Sequence, residues 1–255
     1  MELRCVHCGF GVKTLFVQYS PGNIRLMKCE NCKVVADEYI ECEIMILLID
    51  LILLKRKAYR HLLYNMLNRE MFDTKGILWK ACFLFLILDA CRTLVFNRSQ
   101  EDRCLSSSSF SSAWVCGKML MNVCLGNLTF FYILVVATRL SLRSSSKETG
   151  YIDILLAILV SSYFKIFLIA MMVWEFPSSV IFIIDGFVLS SNAVSLKVMT
   201  EMTTIQCLGV CFSAHAMKFL ASQILECWTV AGEVRSLYET KCCIVTELQL
   251  TREGR

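Results

Sequence analysis

Five apolar runs restrict this chain to a narrow set of architectures. They cover residues 77–96, 119–140, 154–174 and 180–199, and a weaker run covers residues 205–225. Each has about the length, roughly 20 residues, that an α-helix needs to cross the hydrocarbon core of a bilayer. A helix also satisfies its own backbone hydrogen bonds, which lipid cannot do. The sequence therefore predicts a mostly α polytopic membrane protein with about four or five transmembrane helices.

The composition supports a membrane protein. Hydrophobic residues make up 56% of the 255 residues and only two residues are proline, and the mean hydropathy is +0.57. Both values lie away from the soluble average. The formal net charge of +4 is small and dispersed along the chain. We therefore expect no nucleic acid partner.

The distribution of basic residues predicts an orientation. Lys and Arg are frequent in residues 55–75, before the first run, and in residues 139–147, after the second, whereas residues 98–103 are balanced in charge. Basic loops tend to stay on the cytoplasmic side of a membrane. The first forty residues also lack the apolar core of a signal peptide. We expect a multi-pass protein whose N-terminus lies in the cytosol.

Two Cys-x-x-Cys pairs stand near the N-terminus. Cys5 with Cys8 and Cys29 with Cys32 are separated by the twenty residues 9–28, close to the spacing typical of a zinc site. Between the pairs, the turn cluster SPGN separates two short runs rich in β-branched and aromatic residues, which predicts a β-hairpin. All four thiolates would be ligands, so the zinc would be structural. Residues 1–38 are thus predicted to form a small cytosolic zinc ribbon.

Two other interpretations of the cysteine pairs stay open. A redox Cys-x-x-Cys normally lies at a strand-to-helix turn of a thioredoxin-like unit, and the sequence gives no sign of such a unit. Unliganded thiols are the second alternative. The remaining cysteines of the chain are scattered through apolar stretches, where Cys behaves as a small hydrophobic residue.

Residues 39–70 predict an amphipathic juxtamembrane helix. Glu43, Asp50 and Lys57 recur every seven residues and so share one side of a helix, and the apolar stretch 44–54 is too short to span a bilayer. We expect this helix to lie on the membrane surface. An ordinary helix packed on the ribbon is the alternative. Residues 71–225 then form the transmembrane region, and residues 226–255 form a C-terminal tail.

Ionisable residues inside the predicted spans require partners, because an unpaired charge in hydrocarbon is costly. Lys165 lies near the middle of the third run and Asp185 in the next. A short turn joins these runs, so we predict an intramembrane pair between Lys165 and Asp185. Asp89 and Arg92, three residues apart, are predicted to pair locally on one helix face.

The stretches after the first cysteine pair carry a family resemblance. YSPGNIRLMKCENCKVVADEYIE and IDLILLKRKAYRHLLYN resemble the homology region of the Arv family of endoplasmic-reticulum membrane proteins. The resemblance covers about residues 5 to 68, and SSYFKIFLIAMMVW extends it loosely into the membrane half. By this resemblance, Cys5, Cys8, Cys29 and Cys32 are the zinc-ribbon cysteines. The other positions that fall on the family motif are Asp37, Tyr39, Ile40, Glu41, Asp50, Tyr59, Arg60, His61 and Asn65.

The resemblance implies a location and a function. It implies a multi-pass protein of the endoplasmic-reticulum membrane that mediates intracellular sterol transport and sterol and sphingolipid homeostasis without being an enzyme. For some relatives it also implies movement of glycosylphosphatidylinositol precursors. Membrane lipids, sterol above all, would be the partners.

The residues themselves leave three function classes open. The first is a lipid-handling membrane protein. The second is a membrane-anchored adaptor whose zinc ribbon recruits or regulates lipid-metabolic proteins. The third, a lipid-modifying enzyme, is disfavoured because the apolar runs contain a single histidine, His215, and because no carboxylate or nucleophile stands beside His61 in the sequence. For His61 we expect a packing or headgroup-binding role.

Overall fold

The computed structural model describes residues 3–20, 22–67, 74–101, 112–142, 150–174, 176–177, 179–200 and 202–253. A small two-stranded sheet comes first and helices follow it. The elements are β1 (Phe16–Ser20), β2 (Asn23–Leu26), α1 (Ile44–Ile52), α2 (Arg56–Arg60), α3 (Thr74–Glu101), α4 (Ser112–Leu142), α5 (Tyr151–Ser161), α6 (Phe167–Val173), α7 (Ser179–Thr200) and α8 (Thr204–Glu253). A π-helical turn, His61–Met66, continues α2, and a 3-10 turn, Ser162–Ile166, joins α5 to α6.

The predicted hairpin is confirmed. β1 and β2 pair antiparallel, from Phe16 opposite Leu26 to Ser20 opposite Asn23. Isolated bridges between Arg4 and Gly11, and between Lys28 and Val35, tie the loops that flank the hairpin. Cys5 and Cys29 are buried at the centre of this small unit, which is therefore organised around its cysteines.

The single helix predicted over residues 39–70 is wrong in one respect. The chain forms two short helices, α1 and α2, because Leu54 between them takes the left-handed conformation with φ of +56°. Leu lacks the conformational freedom of Gly, so the sequence carries no sign of this break. Because of this break, α1 and α2 are separate helices and can face different parts of the protein.

Four helical segments are long and apolar enough to cross a membrane, counted among the described residues. They are Cys116–Leu142, Tyr151–Met171, Ser179–Thr200 and Thr204–Trp228. They match the last four predicted runs, including the weaker one. The first predicted run is helical within α3 but is not among the four, since Lys80, Asp89 and Arg92 interrupt its apolar character. The chain is thus a mostly helical polytopic membrane protein with an N-terminal ribbon.

One hydrophobic cluster joins the ribbon to the membrane helices. Val6 of the ribbon and Tyr59 of α2 are both fully buried in it. Ala157 of α5 and Val198 of α7 contribute from the spans. The ribbon therefore shares a core with the helices rather than standing apart from them.

Candidate functional site

The four cysteines of the two pairs converge on one point. Their sulfur atoms all lie within 4.8 Å of one another. The Cys5 and Cys32 sulfurs are 3.7 Å apart, and the Cys8 and Cys29 sulfurs are 3.6 Å apart. Four sulfurs bound tetrahedrally at about 2.3 Å from a zinc ion would be about 3.8 Å apart. The arrangement can therefore hold one metal ion, and the distances are far too long for disulfides.

The two knuckles have the same backbone geometry. In the first, the Gly9 N–H donates to the Cys5 carbonyl, and in the second the Lys33 N–H donates to the Cys29 carbonyl, both at 2.9 Å. Gly9 has φ of +80° and Lys33 has φ of +61°. Both residues have the left-handed conformation, which is easily adopted by glycine, and the second knuckle adopts it with a lysine.

The thiols of the first knuckle differ in acidity. Burial raises the pKa of Cys5 to about 12. Burial also acts to raise the pKa of Cys8, but hydrogen bonds from the Phe10 backbone and the Asn31 side chain outweigh it and lower this pKa to about 6. The hydrogen bonds at Cys8 thus favour its thiolate, which is the form that binds metal.

Asn65 ties the ribbon to the helical part of the chain. Its side-chain oxygen accepts the Arg4 N–H at 2.9 Å, and its Nδ2 donates to the Arg4 carbonyl at 2.9 Å. Nδ2 also donates to Asp37 Oδ2 at 2.7 Å. The amide thus pairs with a ribbon backbone unit much as a neighbouring strand would.

Asp37 is the centre of this polar network. It is fully buried and accepts hydrogen bonds from His61 Nδ1 at 2.6 Å and from the Tyr39 N–H at 3.0 Å. The fold brings Asp37 to His61 from 24 residues away, so the carboxylate that is missing beside His61 in the sequence is present in the structure. The only sequence signal for this contact is that ADEYIE and YRHLLYN both belong to the family motif.

Arg60 fastens the first knuckle. Its guanidinium donates to the Val6 carbonyl at 3.0 Å and to the His7 carbonyl at 2.7 Å. A Cβ placed on Gly9 would meet this guanidinium at 3.6 Å, so the guanidinium lies close beside the turn of the first knuckle. Arg60 therefore couples α2 directly to the cysteine loop.

Asp50 holds α1 against the ribbon. It accepts from the Tyr39 hydroxyl at 2.8 Å and pairs with Lys55 at 2.7 Å. Hydrogen bonds from Lys55 and from Tyr39 lower the pKa of the Asp50 carboxyl. Asp50 thus faces the protein, although the sequence pattern placed it on a polar outer side of a surface helix.

Tyr59 connects α2 to the spans. Ser191 Oγ on α7 donates to the Ser161 carbonyl at 2.5 Å. The Tyr59 hydroxyl therefore donates to Ser191 Oγ, at 2.8 Å. Tyr163 lies 3.4 Å from the same hydroxyl. A fully buried tyrosine thus joins three separate segments of the chain.

A cleft of 410 Å³ opens at the junction of the ribbon and α1. His61, Asp37 and Asn65 line one side of it, and mostly apolar side chains line the rest. The other lining residues are Leu15, Tyr39, Ile40, Cys42, Ile44, Leu47 and Met66. Of the predicted motif residues, Ile40 is thus placed at this cleft, whereas Glu41 is exposed. The motif residues build the ribbon clamp and one wall of the cleft.

The predicted pair of Lys165 with Asp185 is wrong. Lys165 on the 3-10 turn pairs with Asp89 of α3 at 2.7 Å. Asp185 of α7 pairs instead with Arg92 of α3 at 2.6 Å. The local pair predicted between Asp89 and Arg92 is therefore wrong as well. The reason is that α3 packs beside the 3-10 turn and supplies each of the two predicted partners with an opposite charge.

Fold and site together define a class of protein: a polytopic membrane protein whose N-terminal four-cysteine ribbon is clamped to its helices by a buried polar network. The family model described as the Arv1-like family matches residues 4–196. This match covers most of the chain, so the chain belongs to the Arv1-like family.

Curated relatives support the same assignment. Protein ARV 1 and Protein ARV 2 of Arabidopsis thaliana are 52% and 53% identical over 225 and 220 residues. These alignments cover 88% and 86% of this chain, and 89% and 93% of the relatives. Protein ARV1 of Homo sapiens is 29% identical over 204 residues, which is 77% of this chain and 72% of the relative. No solved structure matches the chain.

Proposed function

We propose that this protein mediates intracellular sterol transport and sterol and sphingolipid homeostasis at the endoplasmic-reticulum membrane without catalysing a reaction. Membership of the Arv1-like family supports a role in lipid homeostasis. A cleft lined mostly by apolar side chains supports lipid binding. Movement of glycosylphosphatidylinositol precursors is part of the same proposal and rests on the family alone.

The cleft between the ribbon and α1 is the observation that carries the proposal. Its apolar wall includes Leu47, and its polar wall carries the imidazole of His61. Asp37 occupies Nδ1 of that ring, so Nε2 is the nitrogen available to a ligand. A mostly apolar cavity with a few oriented polar groups on its wall suits a lipid that has a hydroxyl head and a bulky apolar body. Sterol has this chemistry.

The outer face of α1 supports contact between the cleft and the membrane. Ile44 is 63% exposed, Ile49 is 51% exposed and Leu53 is 61% exposed. A soluble protein rarely exposes such a continuous apolar surface. Lys55 and Arg56 follow the helix directly and would meet anionic headgroups. We infer that α1 lies in the membrane surface and brings the cleft to the level of the lipids.

Zinc is the metal we assign to the four cysteines. A four-thiolate, tetrahedral site with sulfur separations near 3.7 Å suits zinc and leaves no position open for chemistry. A ribbon of this size buries too little apolar surface to fold without such support. The role of zinc would therefore be to hold the ribbon in the shape to which Arg60 and Asn65 hydrogen-bond.

Sterol exchange between liposomes tests the proposal. The full chain would be reconstituted in donor liposomes, and the transfer of a fluorescent sterol to acceptor liposomes followed. Leu47→Trp fills the cleft, whereas Leu48→Trp adds the same bulk on the exposed side of α1. We expect the wild type and Leu48→Trp to accelerate exchange and Leu47→Trp not to do so. If the wild type does not move sterol, direct transport is refuted.

The ribbon has its own test in the same assay. Cys29→Ser combined with Cys32→Ser removes two ligands of the proposed zinc. Cys116→Ser combined with Cys227→Ser is the matched control, since both of these thiols are exposed and lie outside the ribbon. We expect only the first double variant to lose exchange. Equal activity of the two double variants would show that the ribbon is not needed.

An adaptor is the second candidate function, and one observation favours it. The ribbon exposes Tyr19 at 66% and Phe10 at 48%, together with other apolar side chains. Such residues can bind a protein partner. Replacing Tyr19 and Phe10 by serine separates the two functions. A lipid transporter should keep sterol exchange in this variant, whereas an adaptor should lose the ability to complement a cell that lacks the protein.

The orientation is also a proposal, with the ribbon in the cytosol. Intact microsomes carrying an epitope tag before residue 3 would test it. We expect added protease to remove the tag without detergent. Protection of the tag would place the ribbon in the lumen.

A further inference from the structure

A buried cluster inside the membrane half carries more positive than negative charge. Asp89 of α3 is 4% exposed and Lys165 is 3% exposed, and their side chains pair at 2.7 Å. Lys218 of α8 binds the second oxygen of the same carboxylate. Two ammonium groups therefore share one carboxylate, which leaves a net charge of about +1.

The neighbouring charges do not remove this excess. Arg92 donates from Nε to Asp185 Oδ1 and from Nη2 to Asp185 Oδ2, and the two residues are neutral together. Lys165 also lies over the ring of Phe85, 3.6 Å from its centroid. A ring face stabilises a cation but carries no net charge. In the described part of the chain, Asp89 is the only carboxylate in salt-bridge contact with either lysine.

The cluster lies deep in the predicted spans. Lys218 stands fourteen residues after the start of the segment Thr204–Trp228 and ten before its end. At a rise of about 1.5 Å per residue, it is roughly 15 Å from the nearer end. An uncompensated charge at this depth is costly and marks a functional site. A bound anion would compensate it.

Two unused polar atoms lie beside Lys218. Asn127 of α4 is 4% exposed, and its oxygen accepts from Lys218 at 2.7 Å. Its Nδ2 is buried without a hydrogen-bond partner, and so is Nε2 of His215. The His215 ring lies 4.8 Å from that of Phe130, three residues after Asn127, and Lys218 follows His215 by three residues. Both atoms therefore lie at the interface of α4 and α8.

Access to the cluster is through Lys218. Its side chain is 17% exposed, against 3% for Lys165 and 4% for Asp89. Gly126 faces it, and a Cβ there would lie 3.8 Å from Cγ of Lys218. The small residue leaves room for the lysine stem to cross the helix interface. The open end of the cluster thus carries its cation, and the spare donor of Asn127 is buried beside it.

We propose that this cluster binds the phosphodiester of an anionic membrane lipid. Lys218 supplies the charge, and Asn127 Nδ2 and His215 Nε2 supply hydrogen bonds. One phosphodiester carries about one negative charge, which matches the excess. The lipid would enter from the bilayer. Because Lys218 lies near the middle of its span, the bound headgroup would lie at mid-membrane depth beside α8. The proposal is independent of the sterol function, because the cleft at His61 lies outside the spans.

Native mass spectrometry of the purified full chain in detergent tests this site. The probes are phosphatidylinositol, phosphatidylcholine and the soluble anion glycerophosphate. Two variants remove the excess charge in opposite ways. Lys218→Gln removes the cation, while Asn127→Asp keeps it and adds a carboxylate beside it. Lys197→Gln, at the end of α7, is the control for loss of a lysine.

We expect the wild type and Lys197→Gln to retain phosphatidylinositol in preference to phosphatidylcholine. Both Lys218→Gln and Asn127→Asp should lower its affinity about tenfold or more, the size expected for a charged hydrogen bond. Thermal stability should be kept in both, because the pair of Asp89 with Lys165 remains. The stability measurement separates a loss of binding from misfolding. In a purely structural cluster, Asn127→Asp would only add a favourable contact to Lys218.

Three results would overturn the proposal. Unchanged phosphatidylinositol binding in Lys218→Gln and Asn127→Asp would show that the lipid binds elsewhere. An equal loss in Lys197→Gln would show general electrostatic attraction rather than a site. Displacement of the lipid by glycerophosphate at equal concentration would assign the site to a soluble anion instead of a lipid.

Discussion

Replacing Asp37 by alanine should release the ribbon from the helices. The carboxylate is fully buried and accepts from His61 Nδ1 at 2.6 Å, from Asn65 Nδ2 at 2.7 Å and from the Tyr39 N–H at 3.0 Å. Alanine leaves all three donors without this acceptor. The four cysteines are untouched, so the metal site itself should survive.

The size of the effect follows from the number of donors. A buried donor left without a partner costs about 1–3 kcal/mol. The cleft beside His61 lets water reach some of the three, so we expect a total near the lower end, about 3 kcal/mol. For a chain of this size, that corresponds to a fall in Tm of roughly 6–12 °C. Asp37→Asn should lie between alanine and the wild type, because its oxygen can still accept.

Thermal unfolding in detergent and hydrogen exchange would measure this effect. Exchange should rise at the Arg4 amide, whose acceptor is Asn65, while the metal content stays constant. Glu38→Gln is the matched control one residue away. Glu38 is 45% exposed and pairs with Lys57 at 3.3 Å, so its loss should cost under about 1 kcal/mol. If Asp37→Ala and Glu38→Gln have the same Tm, Asp37 does not clamp the ribbon.

Four further changes test other parts of the structure. Cys29→Ser should lower the bound zinc well below one ion per chain by elemental analysis, and full zinc content would exclude Cys29 as a ligand. Lys33→Gly should raise the free energy of unfolding by about 0.5–1 kcal/mol in denaturant titration, since glycine accepts a positive φ; a loss of stability would contradict this. Tyr59→Phe should cost about 1 kcal/mol by the same measurement, because it removes the hydroxyl and keeps the ring, and a neutral change would mean that the bond to Ser191 adds nothing. Ile49→Glu on the exposed face of α1 should weaken binding of a peptide of residues 39–56 to liposomes, and unchanged binding would remove α1 from the membrane surface.

The four-cysteine cluster could be predicted from the sequence because its determinants are local. Each Cys-x-x-Cys fixes two sulfurs within one turn, and a hairpin of twenty residues brings Cys5 and Cys29 together with few alternatives. The apolar runs were equally informative, since a span must be continuous. What could not be predicted is the break at Leu54, because a leucine at positive φ has no sequence signature.

The charged pairs show where sequence reasoning fails. The rule that a buried charge finds a partner holds for Lys165 and for Asp185. Their partners, Asp89 and Arg92, depend on which helix packs beside which. Neighbouring helices in the chain are a reasonable first guess, but α3 packs against α5, α6 and the 3-10 turn, and its side chains supply both partners. Sequence spacing predicts which face of a helix carries a charge, but helix packing determines which opposite charge lies beside it.

The contact between Tyr59 and Ser191 sets an order on biosynthesis. The two residues are 132 positions apart. At about 5–20 residues per second, the ribosome takes roughly 7–26 s to make the intervening chain. The cysteine pairs, by contrast, are complete within the first 32 residues. The four-cysteine cluster can therefore form early, whereas Tyr59 of α2 stays without its partner Ser191 until α7 has been made. In the nascent chain, α2 therefore stays exposed for longer than the four-cysteine cluster does.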